Sequence, residues 1–196
     1  MDYGYGQGYA IIALNPADCQ GEQNGLLFHG TSSTTVSSAF SFGCLRSVGT
    51  HSVKGLVEYI GDDFGDLGLI EPDPTKVTTT PEWQIAAPKC SDPAAIQMDG
   101  KDFKGDILLE GGLYCISGDE TINANDILQG SEVTLYFIDG KLTINGGSTV
   151  NLSAPTGENV SPALLSVPIY YAQGNSNVLE INGNDQSWFQ GTIYAP

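Results

Sequence analysis

The 196-residue chain carries 7 Lys+Arg against 23 Asp+Glu, a formal net charge of -16, which repels phosphate backbones and anionic lipid headgroups and argues against nucleic acid as a partner. Its length suits one domain with a sizeable core. Its 25 Gly, together with many Ser, Thr, Asn and β-branched residues, favour strands and tight turns over helices.

In chain order, Tyr9-Ala-Ile-Ile-Ala-Leu14 reads as a buried strand closed by the turn former Asn15-Pro16. Strands follow at 25–30, 34–42 and 52–60, each bounded by Gly, Ser or Asn. Residues 61–98 break this rhythm with Gly61-Asp-Asp-Phe-Gly-Asp66, Glu71-Pro-Asp-Pro74 and further prolines. Proline is a poor fit to a central strand, so this stretch reads as a loop excursion. The expected organisation is N-terminal strands over 1–60, the Pro/Asp-rich excursion over 61–98, and C-terminal coils over 99–196, all within a single domain.

The second half repeats one theme at Ile122-Asn123, Ile144-Asn145 and Ile181-Asn182. The first two copies lie 22 residues apart and the third 37 further on, one period plus a 15-residue excess expected as a loop around Pro155–Pro168. Short strands at this period predict a right-handed β-solenoid (β-helix) with coils of about 22 residues. Ile stacks on Ile inside, while Asn and Gly turn the corners. The alternative is a β-sandwich, which also places a strand every 8–12 residues or so.

The four cysteines, Cys19, Cys44, Cys90 and Cys115, show no Cys-x-x-Cys spacing of a zinc or redox site. Both the first and the last pair are separated by 25 residues, so the expectation is Cys19–Cys44 and Cys90–Cys115, one of three possible connectivities. Such bonds imply an oxidising, extracytoplasmic compartment. The chain opens without a basic or apolar leader and ends on Tyr194-Ala-Pro196 as though within a strand, which reads as a fragment of a longer protein. No run of about 20 apolar residues predicts membrane insertion.

The residue types that carry chemistry are sparse. His29 and His51 lie in unrelated contexts. A polysaccharide hydrolase on a β-helix needs clustered Asp and a substrate-binding Arg, and a lyase needs a Ca²⁺ cluster with a basic residue; here Arg46 is the sole arginine and Asp62-Asp63 the sole adjacent Asp pair. No cofactor is expected, with weak Ca²⁺ candidates at Asp62, Asp63 and Asp66, and in a second acidic loop at Asp119, Glu120 and Asp126. No serine elbow or P-loop occurs. Asn151-Leu-Ser153 and Asn159-Val-Ser161 match the glycosylation sequon. Tyr3, Tyr5, Tyr9, Tyr170, Tyr171, Trp188, Phe189 and Tyr194 fit core plugs and contact residues equally well.

Gly111-Gly-Leu-Tyr-Cys-Ile-Ser-Gly118, Val133-Thr-Leu-Tyr-Phe137, Leu142-Thr-Ile-Asn-Gly-Gly-Ser-Thr-Val-Asn-Leu-Ser-Ala-Pro155 and Phe189-Gln-Gly-Thr-Ile-Tyr-Ala-Pro196 resemble the extracytoplasmic region of TadG-like proteins of tight-adherence (Flp/Tad) pilus assembly in bacteria. Ile11-Ile-Ala-Leu-Asn-Pro16 with Cys19 is similar to the opening of that region. The resemblance implies a β-solenoid, an envelope or cell-surface location, and an adhesive or pilus-associated structural role without catalytic residues. The family's membrane-anchoring N-terminal helix has no counterpart in this sequence. The expected function is therefore structural or adhesive and not enzymatic. Expected partners are the chain itself, other cell-surface or pilus proteins, and surface glycans. The alternatives are a carbohydrate-active β-helix and a passive glycan-binding module.

Overall fold

The computed structural model describes residues 10–14, 25–31, 33–78, 85–100, 103–157, 161–177, 179–182 and 186–195. The chain is all-β and folds as a β-solenoid with a coil spacing of about 21 residues. Every strand pairing within either unit is parallel among the described residues. The sandwich alternative is thereby excluded, because a sandwich is built from antiparallel sheets. Two compact units are present, Met1–Gln84 with Ala195–Pro196, and Ile85–Tyr194.

Unit 1 has two strands per coil. One sheet has the order β7 (Ile70–Glu71), β5 (Ser52–Tyr59), β3 (Ser33–Ser41), β1 (Ile11–Ala13), with β8 (Thr75–Lys76) also on β5. The other has the order β2 (Leu26–Gly30), β4 (Leu45–Gly49), β6 (Asp63–Gly65). Leu26 pairs with Leu45 and Ser33 with Ser52, each one coil on, so both sheets step forward by the same length of chain. Phe28, Ala39, Leu45, Val53, Val57, Tyr59 and Ile70 form the core between the sheets. The β3–β5 register slips between Thr35 and Ser38, beside Gly55. A Cβ on Gly55 would meet the Val36 carbonyl oxygen at 1.9 Å, so only glycine fits this irregular crossing.

The stretch 61–98 differs from the expected excursion. It contributes β6, β7, β8 and β9 (Ile96–Asp99), and each lies at a sheet edge or beside a single partner. Edge positions tolerate the neighbouring prolines because one side of the backbone needs no ladder partner. Only 85–95 behaves as an excursion among its described residues, and the boundary between the units falls at Gln84/Ile85.

Unit 2 has three strands per coil. The first sheet contains β9, β11 (Gly112–Ser117), β14 (Val133–Phe137), β17 (Ile169–Tyr171) and β20 (Ile193–Ala195). The second contains β10 (Asp106–Leu109), β13 (Ile127–Gly130), β16 (Thr149–Ser153) and β19 (Trp188–Gln190). The third contains β12 (Glu120–Ile122), β15 (Leu142–Ile144) and β18 (Glu180–Ile181). Ile122 pairs with Ile144 and Ile144 with Ile181, so the three isoleucines of the repeat occupy one rung position. Gly112 pairs with Val133 at the ordinary coil spacing, whereas Leu135 pairs with Ile169 only after a much longer run of chain. The added residues fall between β16 and β17, over 154–168, in the region where the sequence places the excess loop.

Inward positions pack column on column. Ile116, Phe137 and Tyr171 share one rung position and are fully buried, with the Phe137 and Tyr171 rings stacked at 5.1 Å between centroids. Such a pair adds about 0.5–1.5 kcal/mol beyond its buried area. The corner after the first sheet turns on Gly118, Gly140 and Gly174, at φ 90, 73 and 93. A Cβ on Gly140 would come within 2.1 Å of the Gly118 carbonyl oxygen, so coil stacking and left-handed backbone both demand glycine there.

Candidate functional site: the outward faces and the corners

The polar side chains of unit 2 bind one coil to the next. Asp119 Oδ1 accepts the Lys141 N–H at 3.0 Å, and Asp139 Oδ1 accepts the Gly118 N–H. Asp126 accepts the Gly105 N–H at 2.8 Å through one oxygen and the Asn123 N–H at 2.9 Å through the other. One amide of the repeat does the same work, Asn145 Nδ2 donating to Asn123 Oδ1 at 3.4 Å, whereas Asn182 Nδ2 donates within its own coil to Glu180 Oε1 at 3.0 Å. Asn175 is buried and donates to the Phe137 and Gly140 carbonyls at 3.3 and 3.1 Å. The carboxylate bonds satisfy the Lys141, Gly118, Gly105 and Asn123 N–H groups, which the ladder leaves unpaired.

The candidate Ca²⁺ ligands are dispersed. Asp62 pairs with Lys76 at 3.6 Å, Asp63 Oδ2 accepts the Tyr59 hydroxyl at 2.7 Å, and Asp66 Oδ1 caps a short 3₁₀ turn by accepting the Gly68 N–H at 3.1 Å. Glu120 is buried and accepts the Phe103 N–H at 3.3 Å. Among the described residues no group of three or more His, Cys, Asp or Glu is arranged to hold a metal ion.

His51 is buried at 3% exposure beside Ser47, with Nε2 3.1 Å from Ser47 Oγ. Ser47 Oγ donates its proton to the Asp66 carbonyl at 2.7 Å, so it can only accept from His51, whose Nε2 therefore carries hydrogen. A hydroxyl committed in this way and sealed from solvent is not an activated nucleophile. His29 lies in β2 with its backbone in register with Val48.

Cys90 and Cys115 form a disulfide, which ties residues 85–95 to β11. A 25-residue closure contributes about 3 kcal/mol in the loop-entropy model. Cys44 is disulfide-bonded; Cys19, its expected partner, lies outside the described residues. The tied segment covers the outer side of the first sheet of unit 2. There Tyr136, Tyr170 and Tyr194 occupy one rung position, with ring centroids 5.4 and 4.6 Å apart, and the Tyr170 hydroxyl donates to the Ile85 carbonyl at 3.1 Å. Burial raises the Tyr170 and Tyr194 hydroxyls above the usual phenol value, so both stay neutral. Residues 161–168 cover the same side, held by the Thr134 hydroxyl, which donates to the Val167 carbonyl at 2.8 Å and accepts the Leu164 N–H at 2.9 Å. The two covering segments leave a groove of about 240 Å³ lined by Pro88, Lys89, Asp92, Ser161, Pro162 and Leu164.

The second sheet of unit 2 presents an outward column instead. Leu108, Gln129, Asn151 and Trp188 share one rung position on four successive strands. Leu108 is 78% and Trp188 49% exposed, while the alternate positions Leu128, Val150 and Leu152 are buried. The Asn151 sequon thus lies within β16 with its asparagine half-buried; Asn159 lies outside the described residues. Of the aromatic residues that fitted either role, Tyr170, Tyr171 and Tyr194 are buried and Trp188 is a surface residue, whereas Tyr3, Tyr5 and Tyr9 lie outside the described residues. No sequence motif singles out Leu108 or Gln129. The repeat's own offsets nevertheless reach most of the column, because 129, 151 and 188 are spaced by 22 and 37 like Asn123, Asn145 and Asn182.

No protein-family model, no curated protein and no solved structure matches the chain.

Proposed function

We propose that the chain is a non-catalytic structural and adhesive domain, displayed outside the cytoplasm on a bacterial envelope or pilus. The observation that carries this reading is the use of its polar side chains: Asp119, Asp126, Asp139, Asn145 and Asn175 are committed to bonds between coils. A scaffold reinforced in this way holds its outward residues in a fixed ladder, which suits contact with a large, extended partner. The Cys90–Cys115 bond supports an oxidising compartment. Among the described residues no helix is long and apolar enough to cross a membrane. The resemblance of the segments 111–118, 133–137, 142–155 and 189–196 to TadG-like tight-adherence proteins supports the envelope or pilus setting.

The test is attachment. Cells displaying the chain are expected to bind surfaces or neighbouring cells more than cells displaying an unrelated domain of similar charge, and the purified chain is expected to release nothing from uronic-acid polymers supplied with Ca²⁺. Product release would replace this reading with the carbohydrate-active alternative.

A further inference from the structure

We infer that the outward face of the second sheet of unit 2 is a binding site for an uncharged, linear, polyhydroxylated glycan lying across the strands. The inference rests on the reading that the chain works through its surface, and it names the ligand class and the face.

The face is built by β10, β13, β16 and β19, whose rungs repeat at roughly 4.8 Å, so the column from Leu108 to Trp188 runs about 14 Å in a straight line. A straight track of one residue per rung fits a polymer of regular repeat better than a compact ligand. Trp188 provides a flat, half-exposed ring at one end and Leu108 an exposed apolar side chain at the other. The apolar faces of sugar rings stack on such groups, as other amphipathic rings do. Between them lie the amides of Gln129 and Asn151, with Gln190 beside Trp188 two positions along β19. Each amide both donates and accepts, which matches vicinal hydroxyls that do both.

Charge decides among occupants. Asp106, on the outermost strand, is the sole carboxylate at the outward positions of these four strands, in a chain of net charge -16. A face with a single carboxylate at its edge, within a strongly negative field, repels uronic-acid polymers and disfavours a second copy of the same chain, but imposes no penalty on a neutral polymer.

The experiment is affinity electrophoresis of the full chain through gels containing xylan, glucomannan, hydroxyethylcellulose or polygalacturonate. Retardation by at least one neutral polymer and none by polygalacturonate is expected. Trp188→Ala should weaken that binding roughly tenfold or more, and Gln129→Ala less. Phe64→Ala, at an exposed aromatic in unit 1, should leave it unchanged. An unchanged unfolding midpoint for Trp188→Ala shows that the loss is local. Retardation by none of the neutral polymers, equal retardation by polygalacturonate, or full binding by Trp188→Ala overturns the inference. Sedimentation showing a self-associated chain that Trp188→Ala makes monomeric also overturns it, in favour of a second copy. Continued attachment by displayed Trp188→Ala, without glycan binding, would sink this face while leaving the adhesive reading intact.

Discussion

The two units build coils of different length from the same parallel ladder. In unit 1 two strands complete a coil, and Ser47 Oγ meets the Asp66 carbonyl one coil on at a separation of 19. In unit 2 three strands are needed, and the Lys141 N–H meets Asp119 one coil back at a separation of 22. The first-sheet strands shorten at the same time, from 9 and 8 residues in β3 and β5 to 6 and 5 in β11 and β14, so the three-sided coil redistributes its chain as well as lengthening it. The third strand adds a corner, and unit 2 supplements its corner glycines, such as Gly140, with bonded Asp and Asn, whereas unit 1 has close glycine crossings such as Gly25 against the Cys44 carbonyl and Gly65 against the Ser47 carbonyl. A longer coil leaves more backbone groups outside the ladder, and side chains must satisfy them.

The largest test of that contrast is to open each core. Phe40→Ala in unit 1 and Phe137→Ala in unit 2, both at fully buried positions, should each cost about 3–5 kcal/mol. Hydrogen exchange should show Phe137→Ala releasing amides within 103–157 before those of 33–78, and Phe40→Ala the reverse. Equal release over both ranges would mean that the units are not separate in energy.

Removing the clamp comes next. Cys90→Ser with Cys115→Ser should lower stability by about 3 kcal/mol in denaturant titrations, with the loss of protection centred on 85–95. No change in the midpoint would show that Tyr170 and Thr134 hold the covering segments unaided. Gly140→Ala is expected to cost about 2 kcal/mol through its left-handed backbone and its crowding of Gly118, while Gly157→Ala, with open space around it, should be close to neutral. Similar midpoints for the two would remove the corner argument.

The smallest effect is a pH dependence in unit 1. Burial, followed by the hydrogen bond and charge of Asp63, pushes the Tyr59 hydroxyl up to about 12. The folded state holds this proton more tightly than the unfolded one, whose value is about 10. The contribution is therefore whole below about pH 10 and lost as the pH rises through about 12. Tyr59→Phe should be less stable than the parent by about 1 kcal/mol at neutral pH, and the gap should close at the alkaline end of thermal melts. A constant gap across that range would place its origin elsewhere.

Much of unit 2 is legible in the sequence because its corners repeat. Ile122, Ile144 and Ile181 mark one rung position, and their offsets of 22 and 37 locate both the period and the inserted loop. The same offsets carry Gln129 to Asn151 and Trp188, so most of the candidate face is within reach. Leu108 is not, since it lies a coil before Gln129 and no copy of the Ile-Asn motif marks its coil. Unit 1 has no such marker. Its register slips at Thr35/Ser38, and β7 and β8 are two residues long, too short for any periodicity to register. The strand β4 escapes a reading by composition because Arg46 and Ser47 give Leu45–Gly49 the look of a connection; in the fold Arg46 lies 5.1 Å over the Phe64 ring and Ser47 is buried by hydrogen bonding. A polar residue on a strand is decided by its neighbours in the next coil, which sequence order hides.

The segment between β16 and β17 has a consequence for how such a chain can change. Its extra residues leave the ladder after Ser153 and rejoin it at Ile169 opposite Leu135, and the next coil closes as though nothing had been added. Length is absorbed at one corner with the strand register kept on either side, while 161–168 pack back on the wall through Thr134. A lineage can therefore vary the stretch ahead of residue 161, and an engineer can graft a peptide into it, without shifting that register. The corner is a socket, and the solenoid is the frame that holds it still.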